Sequence, residues 1–252
     1  VTKGNPTKQT ALVSPNDPDI IISRTFNSFG LPTSETDANG NTTTFTYDSN
    51  NLYPTEVKNA LGHTQTYTYN YALGKPTNVT DANGYTRHFT YDGLGRTLSE
   101  KESVNGGAQS TLTTYSYNDT SFPRSILQTI YRDNSNTTKI YTYIDGLGRT
   151  IQTRTQTEDG YSVKDTVYDT LGRKAKESLP YIDTGTAYTS PTTNPALYIT
   201  YTYDALNRVV EINTAAGETT NTFDGLNTTT TDANGNDKTF TKDAYGNLIS
   251  VQ

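Results

Sequence analysis

The chain has 252 residues, a formal net charge of −6, 31 % apolar and 11 % aromatic residues, 20 Tyr, no Trp and no Cys. Without cysteine there is no disulfide, thiolate nucleophile or zinc–cysteine site, and without clustered Lys and Arg there is no electrostatic footprint for nucleic acid. The longest aliphatic run, Ile20-Ile21-Ile22, falls far short of the roughly 20 residues that span a bilayer as a helix, so a soluble chain with no membrane span is expected.

From Val1 to Ser23 there is no Tyr, and Pro6, Pro15 and Pro18 break up the pattern, so residues 1–23 read as an irregular lead-in or a degenerate repeat. The chain starts at Val1, contains no Met and shows no charged start followed by an apolar segment, which reads as a processed product or a piece of something longer.

From Arg24 onward the chain is a repeat array. Tyr91-Asp92-Gly93-Leu94-Gly95-Arg96 returns as Tyr143-Ile144-Asp145-Gly146-Leu147-Gly148-Arg149, as Tyr168-Asp169-Thr170-Leu171-Gly172-Arg173 and as Tyr203-Asp204-Ala205-Leu206-Asn207-Arg208. Phe223-Asp224-Gly225-Leu226-Asn227 and Lys242-Asp243-Ala244-Tyr245-Gly246-Asn247 are decayed copies. The aromatic ends a strand, the Asp accepts from a backbone N–H two residues on, and the Gly supplies a positive φ, so the chain reverses at each copy. Gly95, Gly148 and Gly172 are accordingly expected at positive φ.

A second turn alternates with the first. Asp37-Ala38-Asn39-Gly40-Asn41, Asp81-Ala82-Asn83-Gly84-Tyr85 and Asp232-Ala233-Asn234-Gly235-Asn236 set Asn39-Gly40, Asn83-Gly84 and Asn234-Gly235 between β-prone runs, a strong hairpin signal. Between turns lie aromatic-Thr-aromatic triplets such as Tyr67-Thr68-Tyr69 and Tyr141-Thr142-Tyr143, whose spacing puts both rings on one strand face and Thr on the other.

Tyr47, Tyr69 and Tyr91 are 22 residues apart, Tyr117 and Tyr143 follow at 26, Tyr168 at 25, Tyr203 at 35 and Phe223 at 20. Two strands and two turns fit this period. The longest gap holds Pro180, Pro191 and Pro195, and residues of about 178–197 read as an inserted loop outside the ladder. No apolar pattern of helical period runs over eleven residues. The fold class expected is all-β: a repeat array of antiparallel β-hairpins forming a curled or spiralling β-sheet ribbon, continuous over residues 24–252.

The Tyr-Asp-x-x-Gly-Arg copies with Asp-Ala-Asn-Gly-Asn between them resemble the RHS or YD-repeat family, which includes bacterial Rhs polymorphic toxins, the B and C components of insecticidal Tc toxins, and animal teneurins. The resemblance covers about Arg24 to Gln252 and implies a β-sheet ribbon that winds into a hollow shell, enclosing a C-terminal effector in toxin members. Such shells use many more repeats than this chain holds. The Asp-Pro-containing core region that releases the effector in toxin members has no counterpart here, so no self-cleavage carries over.

Chemistry-bearing constellations are sparse. Asp-x-Asn-x-Asn spacing offers alternate oxygens for calcium, but the bidentate acid such a loop needs at its far end falls on Asp48 and Asp92, which the next turns already use. His63 and His88 lack the further ligands of a zinc site and read as solvent-facing strand residues. Arg96, Arg149, Arg173 and Arg208 each follow a turn, where a guanidinium stacks over a neighbouring ring or bonds turn carbonyls. The tyrosine ladder reads as a self-packing sheet face, with a carbohydrate platform as the alternative.

The reading is therefore a non-catalytic structural segment of a secreted or cell-surface protein, with no catalytic, cofactor or metal site. Its residues of note are the repeat positions and hairpin turns named above. The alternative is an extracellular adhesin or self-assembling fibre that binds carbohydrate. Expected partners are further repeats of the same or a longer chain, other copies through sheet edges, an enclosed effector or a surface carbohydrate.

Overall fold

The computed structural model describes residues 4–11, 20–133, 135–191 and 198–252. Among these, the regular structure is entirely β, in strands of three to nine residues. The chain divides into two compact units, Val1–Tyr115 and Ser116–Gln252.

The first unit is an antiparallel meander in which each strand pairs with its neighbours in sequence. Its strands are β1 (Lys8–Ala11), β2 (Ile20–Phe26), β3 (Pro32–Thr36), β4 (Thr42–Tyr47), β5 (Pro54–Lys58), β6 (Thr64–Asn70), β7 (Lys75–Thr80), β8 (Tyr85–Tyr91) and β9 (Thr97–Val104). β10 (Ser110–Asn118) begins here, pairing with β9, and ends in the second unit. Of the two readings of the lead-in, the structure is in keeping with a degenerate repeat: Lys8 to Ala11 pair with Ser23 to Ile20, so this part of the segment joins the ladder. Pro15 and Pro18 lie outside the described residues.

The second unit contains β11 (Arg124–Tyr131), β12 (Thr137–Ile144), β13 (Thr150–Thr157), β14 (Gly160–Tyr168), β15 (Lys174–Ser178) and the short β16 (Tyr181–Asp183). It continues with β17 (Tyr198–Tyr203), β18 (Val209–Thr214), β19 (Gly217–Asp224), β20 (Asn227–Thr231), β21 (Asp237–Lys242) and β22 (Leu248–Val251). The meander holds except at β14, whose outer edge is shared: Thr166 to Tyr168 pair with β15, while Tyr161 to Val163 pair with β16. β15 then pairs with β17.

This corrects the inserted-loop reading in part. Tyr181–Asp183 is a strand in the ladder, and the proline that suggested a loop sits in the break between β15 and β16, where Pro180 has no N–H to give. The Asp165 N–H opposite the break donates to the Ser178 hydroxyl instead of a ladder carbonyl, at 2.8 Å. Pro195 lies outside the described residues.

The two turn sequences share one geometry. In Asp92–Arg96, Gly95 N–H donates to Asp92 O at 3.0 Å and Asp92 N–H to Arg96 O at 2.9 Å; in Asp37–Asn41, Gly40 N–H donates to Asp37 O at 3.0 Å and Asp37 N–H to Asn41 O at 3.0 Å. Gly95 has φ 79° and Gly40 φ 82°, whereas positive φ outside glycine is confined, among the described residues, to Asn51, Asn105 and Asn207. Asn39, Asn83 and Asn234 are thus ordinary turn residues preceding a left-handed glycine, and none of these is the two-residue primed turn that Asn-Gly signals.

What distinguishes the hairpins is the ladder behind the turn. At the aromatic turns one extra residue bulges from the return strand, so that Tyr91 faces Thr97 while Thr90 faces Ser99; the same slip recurs at Tyr47, Tyr69, Tyr168 and Tyr203, and at Ile144, which follows Tyr143. At the Asp-Ala-Asn-Gly turns the register runs without a break, as in Glu35 to Thr43 and Thr36 to Thr42.

Candidate functional site

Each repeat motif is a clamp on the next unit. Asp145 Oδ1 accepts from the N–H groups of Leu147 and Arg149, both at 2.9 Å, and Oδ2 accepts from Arg149 Nε at 2.8 Å. The Arg149 backbone N–H is the main reason the Asp145 carboxyl lies below its ordinary value. Held from below, the guanidinium lies 4.2 Å from the centre of the Tyr168 ring, the anchor of the following unit. The Tyr168 hydroxyl donates to Thr150 O at 3.0 Å, one residue beyond that arginine. One tyrosine is therefore gripped by its ring and by its hydroxyl.

The same clamp repeats. Arg173 bonds Asp169 at 2.7 Å and covers Tyr203 at 4.5 Å, while Tyr203 OH donates to Lys174 O at 2.8 Å. Arg208 bonds Asp204 at 2.6 Å and covers Phe223 at 4.1 Å. Arg96 bonds Asp92 at 2.7 Å in the same manner. At Tyr91 the cation is Lys75, 5.3 Å from the ring centre, and the hydroxyl donates to Pro76 O at 2.7 Å.

Gly148 and Gly172 sit at φ 80° and 82°, and Asn207 takes the equivalent place in the Tyr203 unit at φ 63°. Tyr143 is the exception among the anchors, since its hydroxyl donates to Thr186 O in the inserted segment.

Sequence reasoning missed part of this clamp. Tyr47 and Tyr69 donate to Pro32 O and Pro54 O, both at 2.9 Å. Pro32, Pro54 and Pro76 recur at the tyrosine period; Pro32 and Pro54 open their return strands and Pro76 is the second residue of its own, at the bulge, positions that tolerate a missing N–H.

The most deeply buried side chains form a polar core in the second unit. Arg154, Gln152, Val163 and Asp165 are fully buried, with Ser178 and Tyr198 close behind. Arg154 faces Tyr141 on one side and Val163 on the other, and Gln152 faces Tyr143 and Asp165, so these groups share the aromatic face of β12 to β14. The segment after β16 crosses that face as a strap.

Arg154 Nη1 donates to Asp183 Oδ2 at 2.8 Å and to Gly185 O at 2.7 Å, and Nη2 donates to Thr189 Oγ1 at 2.6 Å. Its Nε donates to Gln152 Oε1 at 2.9 Å. The Gln152 amide donates to Asp165 Oδ1 at 2.7 Å and Thr189 O at 3.0 Å, and Tyr181 OH donates to Asp165 Oδ2 at 3.0 Å. Burial, joined by that bond to the Asp165 carboxylate, pushes the Tyr181 phenol up to about 12. Buried charges survive when they are well hydrogen-bonded, and at Arg154 each of the three guanidinium nitrogens has an acceptor, in four bonds together.

The chemical readings weighed from sequence find these surroundings. Asp37 Oδ1 accepts from the N–H groups of Asn39 and Asn41 at 2.9 and 2.8 Å, and Oδ2 from the Asn41 amide at 2.9 Å, so both carboxylate oxygens of the turn already bond protein donors. Each histidine departs from the solvent-facing strand reading in one respect: His63 is exposed but lies outside a strand, and His88 lies in β8 but is half-buried. His63 ends a turn in which its backbone N–H donates to the Asn59 side-chain Oδ1 at 3.0 Å, and the His88 ring lies between Asn78 and Ser103, at 2.6 and 2.8 Å. Among the described residues no three His, Cys, Asp or Glu converge on a common point.

The comparisons agree with this architecture. The RHS Repeat family profile matches residues 26–64 and 69–108, and the profile of a domain of unknown function, DUF6443, matches residues 113–222. No curated protein matches the chain. Among solved structures, the crystal structure of TcdB2-TccC3 superposes with a TM-score of 0.79 at 16 % identity, covering 97 % of this chain and 16 % of that one. A form without the hypervariable C-terminal region superposes at 0.79 and 15 % identity over 97 % of this chain and 18 % of that one. A Photorhabdus luminescens Tc holotoxin pore gives 0.61 and 12 % identity over 97 % of this chain and 14 % of that one.

These matches and the clamp geometry define a β-hairpin repeat protein with the fold of a Tc toxin component. Residues 26–64 and 69–108 match the RHS Repeat family, the whole chain shares the fold of these solved structures, and it spans less than a fifth of their length.

Proposed function

We propose that the chain is a non-catalytic wall segment of a secreted or cell-surface RHS/YD-repeat protein, working as part of a container around an effector polypeptide. The observation that carries this reading is the 97 % coverage of the chain by the fold of TcdB2-TccC3. The clamps support it, because Asp145, Asp169 and Asp204 are spent on turn bonds and Arg149, Arg173 and Arg208 on those turns and on rings of the next unit, which is work for a wall. Expression with the native flanking sequence, purification and mass spectrometry of bound material test it. A co-purifying polypeptide in fixed ratio is expected, and an empty particle retained on a glycan array would replace the container with an adhesin.

The adhesin reading has its own observation in the tyrosine cluster of the first unit. Tyr53 stacks on Tyr69 at 4.8 Å, Tyr71 lies 5.7 Å from Tyr53, and Tyr71 is exposed. The Tyr53 and Tyr69 faces are turned to each other and Tyr71 OH is bound to Asp48 at 2.8 Å, which leaves little free ring surface for a sugar.

A further inference from the structure

The two edges of each meander differ in a way that the clamp does not use. At the aromatic turns the third residue of the loop projects into solvent: Leu147, Leu171 and Leu206 are 79 %, 72 % and 71 % exposed. Their turns join β12 to β13, β14 to β15 and β17 to β18, and β15 pairs with β17, so consecutive tips stand two strands apart. That is a pitch of about 9.5 Å. Isolated exposed leucines are ordinary, but a row at constant pitch along one edge is an interaction surface.

The opposite edge of the first unit is notched at the same pitch. Its turns Asp37–Asn41, Asn59–His63 and Asp81–Tyr85 also stand two strands apart. A groove of about 430 Å³ lies between the first two, lined by Gly40, Lys58 and Ala60, and one of about 370 Å³ between the next two, lined by Val57, His63 and Ala82. Each is wide enough for a leucine side chain and has an aliphatic wall. Leu61, 80 % exposed, stands between them.

Charge favours the same pairing. The Asp37 and Asp81 turns end in Asn41 and Tyr85 where the leucine turns end in arginine, so the notched edge is the more acidic. The leucine edge brings the partly exposed guanidinium groups of Arg149, Arg173 and Arg208.

We infer that the leucine edge of the second unit docks on the notched edge of the first unit of another copy of this chain, two neighbouring tips seated in its two grooves. Equal pitch follows from equal strand spacing, so one register seats both tips together. The contact is head-to-tail, joining unlike edges of two copies.

Sedimentation over a concentration series tests this, comparing the wild-type chain with a Leu147→Asp, Leu171→Asp, Leu206→Asp variant. The tips are solvated, so the variant keeps the wild-type melting curve. Its association should weaken by roughly tenfold or more. A mixture of one copy carrying Leu171→Cys with another carrying Ala82→Cys, treated with oxidised glutathione, should form mixed dimers; the chain has no native cysteine to interfere.

A wild-type chain monomeric at every concentration would overturn the inference, as would association that survives the triple substitution. Association abolished by Ile249→Pro but not by the leucine changes would assign it to strand pairing at β22 instead. Leucine-dependent retention on phosphatidylcholine vesicles, without mixed disulfides, would give the row to a lipid surface and equally overturn it. None of these outcomes bears on the container reading, which rests on bound polypeptide.

Discussion

Replacing Arg154 by Ala is expected to release the strap from the sheet. The side chain is fully buried and donates to Gln152, Asp183, Gly185 and Thr189 at 2.6–2.9 Å. Its loss leaves the Gly185 carbonyl and the Asp183 carboxylate without their donor, and breaking a buried pair in this way costs about 3–5 kcal/mol. For a chain of this size that corresponds to a fall in Tm of about 6–20 °C. Tyrosine fluorescence melts and hydrogen exchange of a peptide covering Tyr181–Thr189 would read it, with faster exchange localised to that peptide.

Arg154→Met sharpens the test. It keeps much of the volume and lets Asp183, already partly exposed, turn to water, so it should cost clearly less than Ala. A loss below about 1 kcal/mol for Arg154→Ala, the scale of an exposed pair, with unchanged exchange in the strap, would show that the network does not hold the strap down.

Gly148→Val should destabilise its hairpin by about 1–2 kcal/mol through φ 80° alone, since open space surrounds the added Cβ, while Gly148→Asn should cost less because Asn207 holds that place in the Tyr203 unit; denaturant titration checks both. Tyr91→Phe removes the bond to Pro76 O at 2.7 Å and should cost about 0.5–1.5 kcal/mol while raising exchange in β7 and β8 rather than in β5.

Acid should unfold the array. The Asn41 side-chain amide holds Asp37, and the Arg149 N–H holds Asp145, below the ordinary 3.8. The folded chain thus binds these protons less readily than the unfolded chain, so the stabilisation is complete above the unfolded value and is lost as pH falls through the lowered folded values. Circular dichroism between pH 7 and pH 2 should show a transition below about pH 4.

The hairpin period was legible because it is written locally. A tyrosine at 22-residue spacing, an Asp that caps its own turn and a Gly that must be left-handed are each decided within six residues. The clamp was half legible: recurring arginines pointed to ring stacking, but the carbonyl that each hydroxyl finds depends on the neighbouring unit, and the matching recurrence of Pro32, Pro54 and Pro76 went unread. The strap was not legible. Arg154 and Asp183 are 29 residues apart, and the prolines around them signal a loop as readily as a crossing segment. The one hint was an arginine alternating onto the face of Tyr141 and Tyr143, where a charge needs a partner.

The most direct test of the central claim is protease protection. The protein with its native flanking sequence is purified with any bound polypeptide and treated with proteinase K before and after acid opening of the array. The container account predicts that the bound polypeptide survives at neutral pH, while the same polypeptide alone is digested, and that acid treatment exposes it. Digestion at neutral pH at the rate of the free polypeptide would contradict the account.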